Sequence, residues 1–384
     1  MKNTIEIIAK TFYGLEDILA EELHELGAMD IRRLNRAVSY KGDKELLYRS
    51  NYYLRTAVKI LVPLSEAMVR NDKDLYNAIN KIRWEEHIDL KSTFAIEAVL
   101  KSSGFTHSLY VEQKVKDAIV DRFRDKYGLR PSVNTSEPDI KIHVNISGEA
   151  LKVSLDSSGQ PLFKRGYRTG QGEAPVNEVL AAGLVKLSGW KGDKPFADFM
   201  CGSGTIPIEA ALIALDIPPG TSGRKYAFQN WKDYDEGLFS KILFKGVGKE
   251  KKDIRIFASD ISPIAVNLAK KNARNSNTYD SIVFSRSKLE DVIPFDQPGV
   301  IIINPPYGER LKQENLDELY TAVGNKLKKD FNGSEAWILS GSMEALKHIG
   351  LHPARKITLF NGQLECKFQK YALYQGSKKV RNSL

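Results

Sequence analysis

The chain has 384 residues, enough for two or three domains, since a single hydrophobic core rarely grows past about 250–300 residues. Its two cysteines, Cys201 and Cys366, make no disulfide framework, and its six histidines fall without metal-ligand spacing, so no metal is expected. The first 160 residues carry 24 Lys+Arg against 24 Asp+Glu and the remainder 33 against 24, so the whole net charge of +9 lies in the C-terminal part; that suits a polyanion partner, or equally a protein with charged, solvated helices.

Met1–Lys10 lacks a signal-peptide apolar core, and no apolar run approaches the roughly 20 residues of a membrane span, so a cytoplasmic location without membrane contact is expected. Residues 3–9 alternate as a strand. Leu15, Ile18, Leu19, Leu23 and Leu26 recur at helical spacing up to Gly27. A strand over 31–40, a helix over 43–50 and a strand over 57–63 complete a small α+β module. The pattern then predicts a helix over 73–81, a strand over 93–99, a helix over 109–127, and a hairpin of 140–146 with 151–155 across Ser147-Gly148. Lys101, Lys114, Lys116, Arg122 and Arg124 follow one helical segment, a pattern that usually marks a solvated face.

From Asp156 to Arg168, glycine, serine and proline mark a linker that closes on Arg165-Gly166-Tyr167-Arg168. Two readings stand level: Arg165, Tyr167 and Arg168 grip a phosphate and stack on a base, or the arginines pair with carboxylates in an ordered crossover. A helix over 178–188 follows Glu173-Ala174-Pro175-Val176-Asn177.

Phe196–Met200 reads as a strand, Cys201-Gly202-Ser203-Gly204 as a tight turn, and Thr205–Leu215 as a helix. Glycines let the backbone approach a ligand closely, and the helix N-terminus offers unpaired N–H groups. Pro207 stands where a dinucleotide fingerprint needs its third glycine, which argues for S-adenosylmethionine over NAD. Asp198, in the strand, suits an amino acid's ammonium group. Asp260 ends the next strand (254–259), where a carboxylate would hold ribose hydroxyls; its plainer reading is an N-cap for the helix over 263–274. Between these lies an insertion, 216–253, whose Arg224, Lys225, Tyr226, Phe228 and Trp231 would either line an RNA groove or cover one side of the sheet.

After a third strand (282–284), Val300–Ile303 is apolar and β-branched throughout, as a strand buried on both faces would be, and stops at Asn304-Pro305-Pro306-Tyr307. The two prolines cannot continue a ladder and present Asn304 and Tyr307 at the strand's C-terminal edge. The Asn304 amide oxygen and the Pro305 carbonyl make two acceptors and Tyr307 a flat ring, a set suited to a planar base with an exocyclic amine. A helix over 316–329, strands over 336–340 and 356–360, the turn signal Asn361-Gly362 and an antiparallel last strand over 364–374 finish the pattern.

Phe94-Ala95-Ile96-Glu97, Ser103-Gly104-Phe105-Thr106-His107-Ser108 and Asp139-Ile140-Lys141-Ile142-His143-Val144 resemble a THUMP domain, an RNA-binding module fused to RNA-modifying enzymes. With a ferredoxin-like module ahead of it, the likeness covers about residues 1–158. D-x-x-C-G-S-G-T, a strand-end Asp and N-P-P-Y fall in the order of class I methyltransferases, over about 160–376. With R-G-Y-R, A-P-x-x-E, the aromatic-rich insertion and L-F-N-G-Q-L-E-C, the chain resembles the THUMP-containing guanine-N2 RNA methyltransferases, nearest the large-subunit (23S) rRNA type, with related tRNA enzymes next.

That resemblance implies a ferredoxin-like module (1–63), a THUMP domain (64–158), a linker (159–172), a Rossmann-like methyltransferase domain (173–376) and a tail (377–384). It also implies Cys201, Gly202, Ser203, Gly204, Thr205, Asp198, Asp260 and Asn304 around S-adenosylmethionine, Asn304 through Tyr307 at the chemistry, and structured RNA as partner. Where many relatives carry an acid for the adenine amine, this chain has Ser287 or Lys288, with Glu290 and Asp291 following. Fusions with a second methyltransferase would need chain beyond Tyr374, so one modification is expected. N-P-P-Y also occurs in DNA adenine-N6 and protein glutamine methyltransferases; the N-terminal module favours RNA.

Overall fold

The computed structural model describes residues 4–169, 176–245, 254–307 and 313–374, and the chain divides into two compact units. No helix among these residues is long and apolar enough to cross a membrane.

The first unit holds most of residues 1–162 together with 223–246. Its elements are β1 (Ile5–Lys10), α1 (Glu16–Glu25), β2 (Met29–Leu34), β3 (Ala37–Gly42), α2 (Lys44–Tyr53), β4 (Lys59–Met68), α3 (Asp72–Asn80), β5 (Thr93–Lys101), α4 (Ser108–Tyr127), β6 (Ser132–Val133), β7 (Ile140–Ser147) and β8 (Ala150–Asp156). They form one eight-stranded sheet in the order β2-β3-β1-β4-β8-β7-β5-β6. β4 joins its two halves: Lys59–Leu61 pair with β1, and Leu61–Met68 with β8. The expected end of this strand at Pro63 is passed because the register shifts between Pro63 and Ser65, a bulge that absorbs a residue without an N–H. The boundary expected between residues 63 and 64 therefore falls inside a strand. The single strand expected over 31–40 is a hairpin, β2–β3, turned at Asn35-Arg36 with Arg36 at φ 54°.

Asp156 opens the stretch expected as a linker. Asp156, Ser157 and Ser158 are fully buried: Ser158 Oγ donates to Asn51 Oδ1 at 2.7 Å, Asn51 Nδ2 donates to Ser157 Oγ at 2.9 Å, and the Ile60 N–H donates to Ser158 Oγ at 2.9 Å. The Ser157 and Ser158 hydroxyls are satisfied inside the protein, so this stretch is an ordered strap. The insertion contributes a helix that the sequence reading missed, α7 (Glu236–Lys245 in chain order), whose Phe239 and Ile242 are buried. Tyr48 of α2 stacks on Phe228 at 4.3 Å, Tyr226 stacks on Phe228 at 5.3 Å, and Phe239 meets Phe228 edge-on at 5.1 Å. Tyr226 and Phe228 are therefore core of the first unit, buried rather than exposed as an RNA groove would need.

The second unit carries Phe12–Ile18, 163–222 and 247–384. Its elements are α5 (Glu178–Ser188), β9 (Phe196–Asp198), α6 (Thr205–Ala214), β10 (Ile256–Asp260), α8 (Pro263–Asn275), β11 (Ile282–Arg286), β12 (Val300–Ile303), α9 (Gln313–Asp330), β13 (Glu335–Ser340), β14 (Arg355–Asn361) and β15 (Leu364–Ala372). The sheet order is β11-β10-β9-β12-β13-β15-β14, parallel except for β15, which runs against both neighbours. Val300–Ile303 are all completely buried, as their unbroken apolar run requires. Chain order reverses at β9, which lies between β10 and β12; in open α/β sheets the crevice at that switch point, outside the strand C-termini, is where ligands bind.

Candidate functional site

A cavity of about 980 Å³ opens at this switch point. Its wall includes Asp198, Cys201, Gly202, Ser203 and Thr205 from the β9–α6 turn, Asp260 from the end of β10, Ser287 through Glu290 after β11, and Asn304 and Pro306 after β12. Four strand ends thus bring together residues more than 100 positions apart in the chain. Gly204, Pro305, Tyr307 and Asp291 are not on the wall.

The turn is held rigidly. Gly202 and Gly204 adopt φ 52° and 82°, a region open to glycine at little cost. A Cβ on Gly204 would lie 2.9 Å from the Ala269 Cβ of α8, whereas one on Gly202 would meet nothing within 4 Å. Gly204 is therefore glycine for packing, and Gly202 leaves space for a close backbone approach. The Asp260 carboxylate accepts from the N–H of Gly202 and from that of Ser262, each at 2.9 Å. Ser262, not Asp260, caps α8, accepting from the Ala265 N–H at 3.3 Å. Each Asp260 oxygen keeps a second acceptor site.

Asp198 is 1% exposed, with one oxygen accepting from the Met200 N–H at 3.0 Å. Burial, with the Asp260 charge adding to it, pushes its carboxyl up to about 8. A carboxyl so destabilised as an anion is poised to ionise against an arriving cation. At the end of β12, Asn304 Oδ1 is buried and finds no hydrogen-bond partner among the described residues. A buried orphan acceptor costs roughly 1–3 kcal/mol, which a ligand donor would recover. A cation-seeking acid, a bidentate acid, an open glycine turn and an orphan acceptor in one cavity fit a nucleoside bearing an ammonium group, with a planar donor group arriving beside it.

Arg165, Tyr167 and Arg168 take internal partners. Arg165 and Tyr167 are each 3% exposed; Tyr167 Oη donates to Glu209 Oε1 at 3.0 Å, and the Arg165 guanidinium stands 3.6 Å from the same oxygen. Arg168 pairs with Glu178 at 3.2 Å and donates to Thr205 Oγ1 at 3.1 Å and to the Val176 carbonyl at 3.0 Å. Of the two readings, this geometry is that of arginines paired with carboxylates, and it buttresses the first turn of α6. Glu173, Ala174 and Pro175 lie outside the described residues.

The sequence reading passed over two supporting residues. Asn272 of α8, 1% exposed, donates to the Ser203 carbonyl at 3.0 Å and accepts from the Thr169 N–H at 3.0 Å. Glu209 is the lone charged residue of α6 and is completely buried. Each carried a signal: a polar residue on a helix's apolar stripe needs a partner.

A family model described as an RMKL-like methyltransferase domain matches residues 165–370, a THUMP domain matches 69–156, and an RlmL ferredoxin-like domain matches 6–61. The chain is 37% identical to a candidate RNA methyltransferase of Synechocystis sp. (slr0064), over 94% of this chain and 95% of that protein. It is also 37% identical to the ribosomal RNA large subunit methyltransferase K/L of Shewanella frigidimarina, over 95% of this chain and 52% of that protein, so it spans about half the length of that relative. The crystal structure of SMU.472, a candidate methyltransferase complexed with S-adenosylhomocysteine, superposes with a TM-score of 0.89 at 30% identity, covering 98% of this chain and all of that one. The chain belongs to the RMKL-like methyltransferase family, with an RlmL ferredoxin-like domain and a THUMP domain ahead of its methyltransferase domain.

Proposed function

We propose that this chain transfers a methyl group from S-adenosylmethionine to the exocyclic N2 amine of a guanine in structured RNA, with 23S rRNA as substrate ahead of tRNA, in the cytoplasm. The observation that carries the reading is the orphan acceptor Asn304 Oδ1, buried on the wall that also bears Asp198, Gly202 and Asp260. The rRNA-modifying relatives and the THUMP match support RNA as substrate.

When bound, S-adenosylmethionine supplies an electrophilic methyl group on a sulfonium. Asp198 would take its ammonium, Asp260 its ribose hydroxyls, and the Cys201–Thr205 turn would pack along it. A guanine N2 is a poor nucleophile because its lone pair is delocalised into the ring. Asn304 Oδ1 and the Pro305 carbonyl would accept its two hydrogens, turn the lone pair out of the ring system, and stabilise positive charge building on nitrogen. Pro306 would hold the base edge, and Tyr307 would stack on the extruded base. The proton leaves to water after transfer, so no dedicated general base is invoked.

The test is methyl transfer from labelled S-adenosylmethionine to separately purified, unmodified 23S rRNA and bulk tRNA, followed by nucleoside analysis. N2-methylguanosine in the rRNA is the expected product. The same nucleoside in tRNA alone would keep the chemistry and replace the substrate; label in neither would contradict the reading.

A further inference from the structure

The motif L-F-N-G-Q-L-E-C forms the tip of the β14–β15 hairpin, and its position follows from register. β13 ends at Ser340, opposite Lys367 of β15. The β14–β15 ladder continues through Leu359↔Cys366, Phe360↔Glu365 and Asn361↔Leu364. Three residue pairs, roughly 10 Å at about 3.3 Å per residue, therefore overhang the C-terminal edge of β13, the edge where Asn304–Tyr307 leave β12.

The Asn-Gly pair does not form the centre of this turn. Asn361 is the last ladder residue, Gly362 and Gln363 make the loop, and Gly362 carries the positive φ of 67°. Asn361 thus has none of the left-handed backbone duty that favours asparagine in turns. Its side chain instead donates from Nδ2 to the Tyr307 hydroxyl at 3.0 Å, and the Cys366 sulfur lies 4.0 Å from the same oxygen. The ring is bounded on another side by Gly341: a Cβ there would lie 3.1 Å from Tyr307 Cδ2 and 2.6 Å from Leu364 Cδ2. A missing side chain makes room for the ring, and an amide fixes its far end.

We propose that Asn361 is the positioning residue for Tyr307: from the overhanging hairpin it locks the ring in the orientation that receives the target base. The proposal rests on Tyr307 being the stacking platform of the function proposed above. It predicts that Asn361 acts through the Tyr307 hydroxyl, whereas a residue that merely shaped the hairpin would act independently of it.

The experiment is a double-mutant cycle with Asn361→Ala and Tyr307→Phe. The probe is 2-aminopurine riboside, a fluorescent purine with its amine at C2, added to S-adenosylhomocysteine-loaded protein. Stacking quenches its emission, and calorimetry gives S-adenosylhomocysteine affinity separately. Each single variant is expected to weaken probe binding about fivefold and to raise KM for rRNA more than it lowers kcat. The double variant should be no worse than either single one, with S-adenosylhomocysteine affinity unchanged. Asn361→Asp, which accepts from the phenol instead of donating, should recover most of the loss. Multiplicative effects in the double variant, wild-type behaviour of Asn361→Ala, or no quenching by the wild-type protein would each overturn the proposal. Probe binding that follows the cycle while rRNA goes unmethylated would overturn the substrate reading and leave the positioning role standing.

Discussion

Asp260, Asp198 and Gly204 make separable contributions at the residue scale. Asp260 holds two backbone N–H groups and keeps acceptor sites for a ligand, so Asp260→Ala should weaken S-adenosylhomocysteine binding by about 10- to 100-fold, the size of lost hydrogen bonds to a charged group, while leaving single-turnover chemistry at saturating cofactor much less affected. Calorimetry beside single-turnover rates separates the two. For Asp198 the sign is fixed by the direction of its shift. Its folded pKa, about 8, lies above the ordinary aspartate value, so its contribution to the stability of the unliganded protein is present in acid and lost as pH rises through about 8. A cationic ammonium group binds the ionised form. Affinity for S-adenosylhomocysteine should therefore rise with pH below 8, by up to about tenfold per unit, and Asp198→Asn should flatten that slope; titration calorimetry at pH 6 to 8 reads it. Gly204→Ala, at φ 82° and against Ala269, should destabilise the second unit by about 1–3 kcal/mol in denaturant unfolding.

At the scale of elements, the strands and helices that the sequence made legible are those whose pattern is local. The all-apolar β12 and the paired β7 and β8 could be read from composition and spacing because each buries itself by that pattern alone. What could not be read depends on distant partners. The aromatics of the insertion have the same residue types whether they face solvent, RNA or α2; only the fold brings Phe228 onto Tyr48. The passage of β4 through Pro63 was hidden because a proline normally ends a strand, and a bulge opposite β8 admitted it. Phe228→Ala should accordingly cost about 3–5 kcal/mol in the first unit, and hydrogen exchange should show faster opening of α2 and β1 with β9, β10 and β12 unaffected. That Asp198, Asp260 and Asn304 would share one edge of the sheet was legible because each stands at a strand's C-terminal end, and all three line the one cavity. Arg165, Tyr167 and Arg168 were ambiguous because cations beside an aromatic suit a phosphate and a buried Glu209 equally well, and the glutamate lies 44 residues beyond Arg165.

For the whole molecule, a surplus of +9 is what the proposed polyanionic substrate would use. Phosphate neutralisation releases counterions, so affinity for the substrate RNA should fall by at least about tenfold between 50 and 200 mM salt, while S-adenosylhomocysteine affinity should change little; filter binding and calorimetry over that range compare them. The proposed transfer turns on one atom, the orphan Asn304 Oδ1 in the cavity at the sheet's switch point. Its role is read from the single-turnover rate of Asn304→Ala on unmodified 23S rRNA, taken with its S-adenosylhomocysteine affinity. A rate lower by about 10²–10³-fold, as for removal of one group that stabilises transition-state charge, with affinity within about twofold of wild type, is the predicted result. A wild-type rate, or a loss accounted for wholly by weaker cofactor binding, would contradict the account.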